Sequence, residues 1–203
     1  TTNTDWNTAS NWDLGSVPTS TSNVIIPNVA NKPVIAAGTY TAKNVTINTG
    51  SSLTINGTLQ VNGNITNNAT ITGAGLLTLN GATAQTFNVG TTGATIASFS
   101  LNNTAGATLS GTGKLNITNV LTVQDGSTLT TGGVVVLKSD ASKTARLAPV
   151  GSGIISGNVT VERYIPAKAT RKWSLLSSPV TQGLQDSWQQ QIHITGAGTG
   201  GTI

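Results

Sequence analysis

Histidine occurs once, at His193, and cysteine nowhere. A hydrolytic triad would need His193, an activated serine and an orienting carboxylate. Asp186 lies near His193 and serines abound, but no Gly-x-Ser-x-Gly elbow is present. His193 therefore reads as an ordinary surface or interface residue. Without cysteine there are no disulfides, thiolate zinc sites or cysteine nucleophiles. Asp5, Asn7, Asn11 and Asp13 carry the oxygens that a calcium ion takes. The same residue types bond their own backbone in turns, and here they flank Trp6 and Trp12, which are placed to cover the open end of a stacked fold. The turn reading is preferred, with calcium as the alternative. Glu162, Arg163 and Tyr164 suggest a second chemistry, that of a β-helical lyase or hydrolase on polyuronates. It would require Asp125, Asp140 and Glu162 to align on one face, with Lys138 or Arg146 as base. Alternating-sign surface charge accounts for the same residues.

Between Lys43 and Lys114 no charged residue occurs at all. General acid–base catalysis needs a titratable group, and metal-assisted hydrolysis needs carboxylate or imidazole ligands. This long stretch supplies neither. Nor does the basic excess point to nucleic acid. The net charge of +4 is scattered, and its densest part is Lys168, Arg171 and Lys172, too thin a patch to displace counterions from several phosphates. No cofactor is implied.

The elements that would have to position any site are short strands. Only 8% of the 203 residues are charged, against about 25% in an ordinary domain, while Val, Ile, Leu and Thr recur throughout. Disorder usually shows the opposite balance. Apolar–polar–apolar triplets repeat between Gly, Asn and Ser punctuation: Val45-Thr46-Ile47, Leu53-Thr54-Ile55, Leu59-Gln60-Val61, Leu77-Thr78-Leu79, Leu115-Asn116-Ile117 and Leu121-Thr122-Val123. Each triplet points two side chains inward and one outward. The phrases at 52–59, 107–113 and 127–133 echo one another, the last two at a spacing of about 20, within the range of stacked repeats. These features predict an all-β chain folded as a parallel β-solenoid. A β-sandwich is the alternative, although its strands run to about 5–6 residues. Thr and Asn on stacked coils are expected to bond their equivalents one coil away. A Thr-lined, ice-binding face would need Thr at the same place in successive coils. Thr46, Thr54, Thr78 and Thr122 stand at triplet centres, but at irregular spacing.

Three zones follow: residues 1–31 as an amino-terminal cap with the first strand, 32–165 as the solenoid body, and 166–203 as a cap or linker. The first zone ends in the apolar burst Val24-Ile25-Ile26-Pro27. The third holds Trp173 and Trp188, a strand-like run at 173–180, a helical turn at 184–191 and a Gly-rich end. Trp6, Trp12, Trp173 and Trp188 are the expected capping or module-interface residues. No Met is present, and no run approaches the ~20 apolar residues of a membrane span, so the chain reads as a mature or excised fragment.

Two stretches carry a resemblance. The opening Trp6-Asn7-Thr8-Ala9-Ser10-Asn11-Trp12-Asp13-Leu14-Gly15-Ser16-Val17-Pro18, with Val24-Ile25-Ile26-Pro27 after it, resembles the start of β-helical modules in large surface proteins of the Bacteroidetes. Val161-Glu162-Arg163-Tyr164-Ile165-Pro166-Ala167 with Arg171-Lys172-Trp173-Ser174-Leu175-Leu176-Ser177-Ser178-Pro179-Val180 resembles the exit from such modules. Such proteins are similar to adhesins and gliding-associated proteins exported by the type IX secretion system. The resemblance implies an extracellular, cell-surface location and a stalk, adhesive or display role. Its implied partners are neighbouring modules, glycans or surfaces, and the secretion machinery during export. End-to-end self-association is a further expectation. Export in that family depends on a carboxy-terminal sorting domain, which nothing in this sequence matches.

Overall fold

The computed structural model describes residues 2–166. The expectations for Lys168, Arg171, Lys172, Trp173, Trp188 and His193, and for the runs 173–180 and 184–191, lie outside the described residues. After one 3₁₀ turn, Ala9–Asn11, the described chain is a succession of strands. They are β1 (Asn23–Ile26), β2 (Val34–Ile35), β3 (Thr39–Ala42), β4 (Asn44–Ile47), β5 (Ser52–Ile55) and β6 (Thr58–Val61). Next come β7 (Ile65–Asn67), β8 (Thr70–Leu79), β9 (Gln85–Asn88), β10 (Ala94–Leu101), β11 (Ala107–Ser110) and β12 (Leu115–Val123). The last are β13 (Thr128–Thr130), β14 (Val135–Leu137), β15 (Arg146–Leu147), β16 (Ile154–Ser156) and β17 (Val159–Val161). All six triplets named from the sequence lie in these strands.

Every pairing between the strands is parallel. The antiparallel contact among the described residues is an isolated bridge from Ser139 to Thr144. This overturns the β-sandwich, which is built from antiparallel sheets. The physical reason is the turns: a strand of three or four residues ends at a corner that leads onward around the coil, not back beside itself. The protein is a parallel β-solenoid of about 6 turns.

Two sheets line it. The first runs β1-β4-β7-β9-β11-β13-β16, and the second β2-β5-β8-β10-β12-β14-β17. β3 and β6 pair alongside β8, and β15 pairs with β12, so the second sheet is bent. β8, β10 and β12 pass through the bend unbroken, with a register shift between Ile96 and Ser98.

Stacking places like side chains in columns. On the first sheet Val24, Val45, Ile65, Phe87 and Leu109 follow one another inward. On the second, Leu53, Ile71, Ala94, Leu115 and Val135 do the same, and beyond the bend so do Leu59, Leu77, Phe99 and Leu121. These residues belong to one continuous buried core. Burial of that apolar surface drives folding, and Phe87 and Phe99 fill its middle with ring centroids 6.3 Å apart.

The echo of phrases gives a false register. It would stack Leu109 on Leu129, but the ladder sets Ala107 against Leu129 and Thr108 against Thr130. The phrase at 52–59 begins on the second sheet, whereas those at 107 and 127 lie on the first. Alternation has the same period on every face, so the text cannot say which face a strand lines. The first strand is equally a full rung, since β1 pairs with β4 along its length. The first coil therefore spans the 31/32 boundary.

At the bend the coils approach closely. A Cβ on Gly75 would lie 2.0 Å from the carbonyl oxygen of Gly57 and 2.7 Å from the carbonyl carbon of Asn56, both backbone atoms. Gly75→Ala is therefore expected to destabilise by about 1–3 kcal/mol or more. Ala74→Ser, one residue away and exposed, should stay within about 0.5 kcal/mol. Urea unfolding midpoints of the two variants check the difference.

Candidate functional site

The amino-terminal end is built from short polar side chains that tie down two tryptophans. Asn3 Oδ1 accepts the Asp5 N–H at 2.9 Å, and Asp5 Oδ1 accepts the Asn7 N–H at 3.0 Å. Asn11 Oδ1 accepts the N–H groups of Thr2 and Asn3, at 2.7 and 3.1 Å. Its Nδ2 donates to Asn3 Oδ1 at 2.9 Å and to the Asp5 carbonyl at 2.8 Å. Of the four calcium candidates, Asp5 and Asn11 thus accept backbone donors, as turn residues do. Asp13 is exposed and makes no such contact. Asn3, which the sequence reading passed over, is central to the arrangement.

These turns carry residues 4–6 onto the second sheet. Val34 N–H donates to the Thr4 carbonyl at 2.7 Å, and Trp6 N–H donates to the Val34 carbonyl at 3.0 Å. The outer edge of β2 is thereby paired, which removes part of the edge that stacked folds leave open. Trp6 is fully buried and part of the core cluster. The Trp12 ring meets it edge-on at 4.7 Å and 67°. Trp12 Nε1 donates to the Trp6 carbonyl at 2.9 Å, whereas Trp6 Nε1 is buried with no partner among the described residues.

The outward columns are the other surface of interest. Asn44 Nδ2 donates to Asn23 Oδ1 at 2.7 Å, Asn44 Oδ1 accepts the Asn64 N–H at 2.7 Å, and Asn64 Oδ1 accepts the Thr86 N–H at 2.9 Å. Of the expected side-chain bonds between equivalent positions, Asn44–Asn23 is one and Asn116 Nδ2 to Thr95 Oγ1 at 3.2 Å another; the rest of this asparagine series takes backbone N–H groups. Of the four threonines named for an ice-binding face, Thr46 lies on the first sheet, Thr54 before the bend of the second, and Thr78 and Thr122 beyond it. Thr78 and Thr122 share a column two coils apart, with Ser100 between them, and the other two stand elsewhere. Threonines that stack on successive coils are Thr54, Thr72 and Thr95, and on the first sheet Thr86, Thr108 and Thr130. Unequal coil lengths hide both rows in the sequence. A shallow trough of about 570 Å³, lined by Gly57, Gly75, Thr58 and Ser98 among others, runs along the bend and is open to solvent.

Of the lyase candidates, Glu162 and Lys138 meet, with Tyr164 tied beside them through Ser139, but among the described residues the carboxylates Asp125, Asp140 and Glu162 do not form one group. Glu162 pairs with Lys138 and also accepts the Ser139 N–H at 3.3 Å. Asp125 accepts the Ser152 N–H at 2.9 Å. Asp140 closes its own loop, accepting the Ser142 hydroxyl at 2.6 Å and the N–H groups of Ser142 and Lys143 at 2.8 and 3.0 Å. The Ser142 hydroxyl foremost, then these N–H groups, hold the Asp140 carboxyl below its ordinary range. Arg146 and Arg163 are exposed, and Tyr164 gives its N–H to Ser139 Oγ at 2.9 Å. Among the described residues no three of His, Asp or Glu form a group able to hold a metal ion.

Buried amides at the corners are the features that sequence reasoning missed. Asn67 occupies the inward column of Ile26 and Ile47 and donates to the carbonyls of Val89 and Gly93 at 3.1 and 2.9 Å. Gln85 donates to the carbonyls of Val61, at 2.9 Å, and Gly63. Asn103 Nδ2 joins Gln85 Oε1 at 2.9 Å and the Thr83 carbonyl at 2.7 Å. The available signal was Asn67 itself, a polar residue where the triplet Ile65-Thr66-Asn67 calls for an apolar one.

Residues 1–98 match a family model described as a domain of unknown function, DUF8693. The matched part holds Trp6, Trp12 and the coils up to β10. No curated protein and no solved structure matches the chain.

If Trp6 seals the core, Trp6→Ala should cost about 3–5 kcal/mol in unfolding free energy. Trp6→Phe keeps the apolar fill and drops the unpartnered donor, so its loss should be clearly smaller by the same denaturation assay. A carboxyl with a depressed folded pKa contributes stability above its unfolded pKa and loses it as pH falls through the folded value. An NMR titration should accordingly place Asp140 below the ordinary aspartate value, and Ser142→Ala should move it back up.

Proposed function

We propose that this chain is a non-enzymatic structural and adhesive module, a rigid spacer within a large secreted cell-surface protein. The observation that carries the reading is the unbroken parallel ladder: about 6 turns of coil on coil over one continuous core. Stacks of this kind gain stability by nearest-neighbour contact and need covered ends. Seven strands at a spacing of about 4.8 Å make the first sheet about 29 Å long. In this reading Trp6 and Trp12 cap the entry, and the half-buried Trp12 is the contact for a preceding module. The Lys138–Glu162 pair and the Tyr164–Ser139 bond anchor the exit strand toward whatever follows. The extracellular location and type IX export come from the resemblance of the entry and exit stretches to Bacteroidetes surface modules. The separate engagement of Asp125, Asp140 and Glu162 supports the spacer over the lyase.

The deciding measurement is the intact mass of the native polypeptide, released from the surface of the source cells by mild shaving. A mass far above 20.5 kDa is the expected outcome. A free species near 20.5 kDa in the medium would remove the spacer reading.

A further inference from the structure

We infer that the outward face of the first sheet binds the surface of a neutral, insoluble polysaccharide, such as a β-linked glucan. The inference names a partner for the adhesive half of the proposed function and rests on that reading.

The seven strands of this sheet contain no Asp, Glu, Lys or Arg. Their outward side chains are hydroxyls and amides, apart from Ile25 and Ile154, which stand on the two end strands. The rows are in register: Thr46 stacks on Thr66, and Thr86 on Thr108 and Thr130. Among the described residues none of these five hydroxyls has a hydrogen-bond partner, which leaves them to bond outward. The asparagines beside them are fixed, since Asn23, Asn44 and Asn64 are chained to one another and to Thr86. A rigid donor–acceptor array of about 4.8 Å period results.

Charge selects the partner. A polyuronate or nucleic acid would find no cation on this face, and a basic partner no anion. A protein partner usually buries an apolar, aromatic-rich centre, and the middle of this face offers none. A neutral polyhydroxylated polymer matches it, because each hydroxyl donates and accepts. Single contacts of this kind are weak. A rigid face on a rigid polymer surface forms many at once and loses little conformational freedom.

The test is retention of the purified chain on microcrystalline cellulose and on chitin, with polygalacturonate as the charged comparison. Thr66→Lys and Thr108→Lys each place a charge on the face at an outward position. Thr72→Lys places one on the other sheet, and thermal unfolding checks that all three variants fold. The expected result is retention on at least one neutral polymer, a loss of tenfold or more in both first-sheet variants, and none in Thr72→Lys. No retention on either polymer, or equal retention of all variants, overturns the inference. So does reshaping of growing ice crystals that only the first-sheet variants lose, which would assign the face to ordered water. A high native mass without retention would remove this face and leave the spacer standing. Retention by a free 20.5 kDa chain would do the reverse.

Discussion

Backbone N–H groups in each coil donate to carbonyls of the neighbouring coil, and this parallel ladder governs everything else in the molecule. Because the ladder is parallel, residue stacks on residue, and each side chain meets the equivalent position one coil away. Apolar residues then merge into columns, from Val24 to Leu109 on one sheet and from Leu53 to Val135 on the other. Asn23, Asn44 and Asn64 likewise form a chain of amides that no single coil could make.

The same constraint sets the cost of the corners. A turn leaves backbone carbonyls without strand partners, and a buried one must be satisfied. Asn67, Gln85 and Asn103 turn inward and do this for Val89, Gly93, Val61 and Thr83. Where the backbones themselves nearly touch, at Gly75 over Gly57, no side chain fits at all. The ends meet the problem differently. Residues 4–6 pair with β2, and Trp6 fills the core mouth behind them.

Charge is arranged to leave the ladder alone. Among the described strands Arg146 is the one charged residue. The carboxylates Asp125, Asp140 and Glu162 each bind backbone N–H groups of loops or strand ends. The strands of the first sheet are left uncharged, with outward hydroxyls and amides, which bears on what that face can touch.

Much of this was legible in the sequence. Triplets such as Val45-Thr46-Ile47 and Leu121-Thr122-Val123 announce strands with two inward residues, because alternation is a local property of extended backbone. Shortness and repetition favoured a solenoid. Register lay beyond it. Which threonines share a row, Thr86 with Thr108 and Thr130 or Thr54 with Thr72 and Thr95, depends on how many residues each corner consumes. So does the inward turn of Asn67. Composition and alternation act between neighbours along the chain, and they determined the strands. Which residues meet across coils was decided only when the coils stacked, because hydrogen bonding and burial between coils select one register among several that the local pattern allows equally.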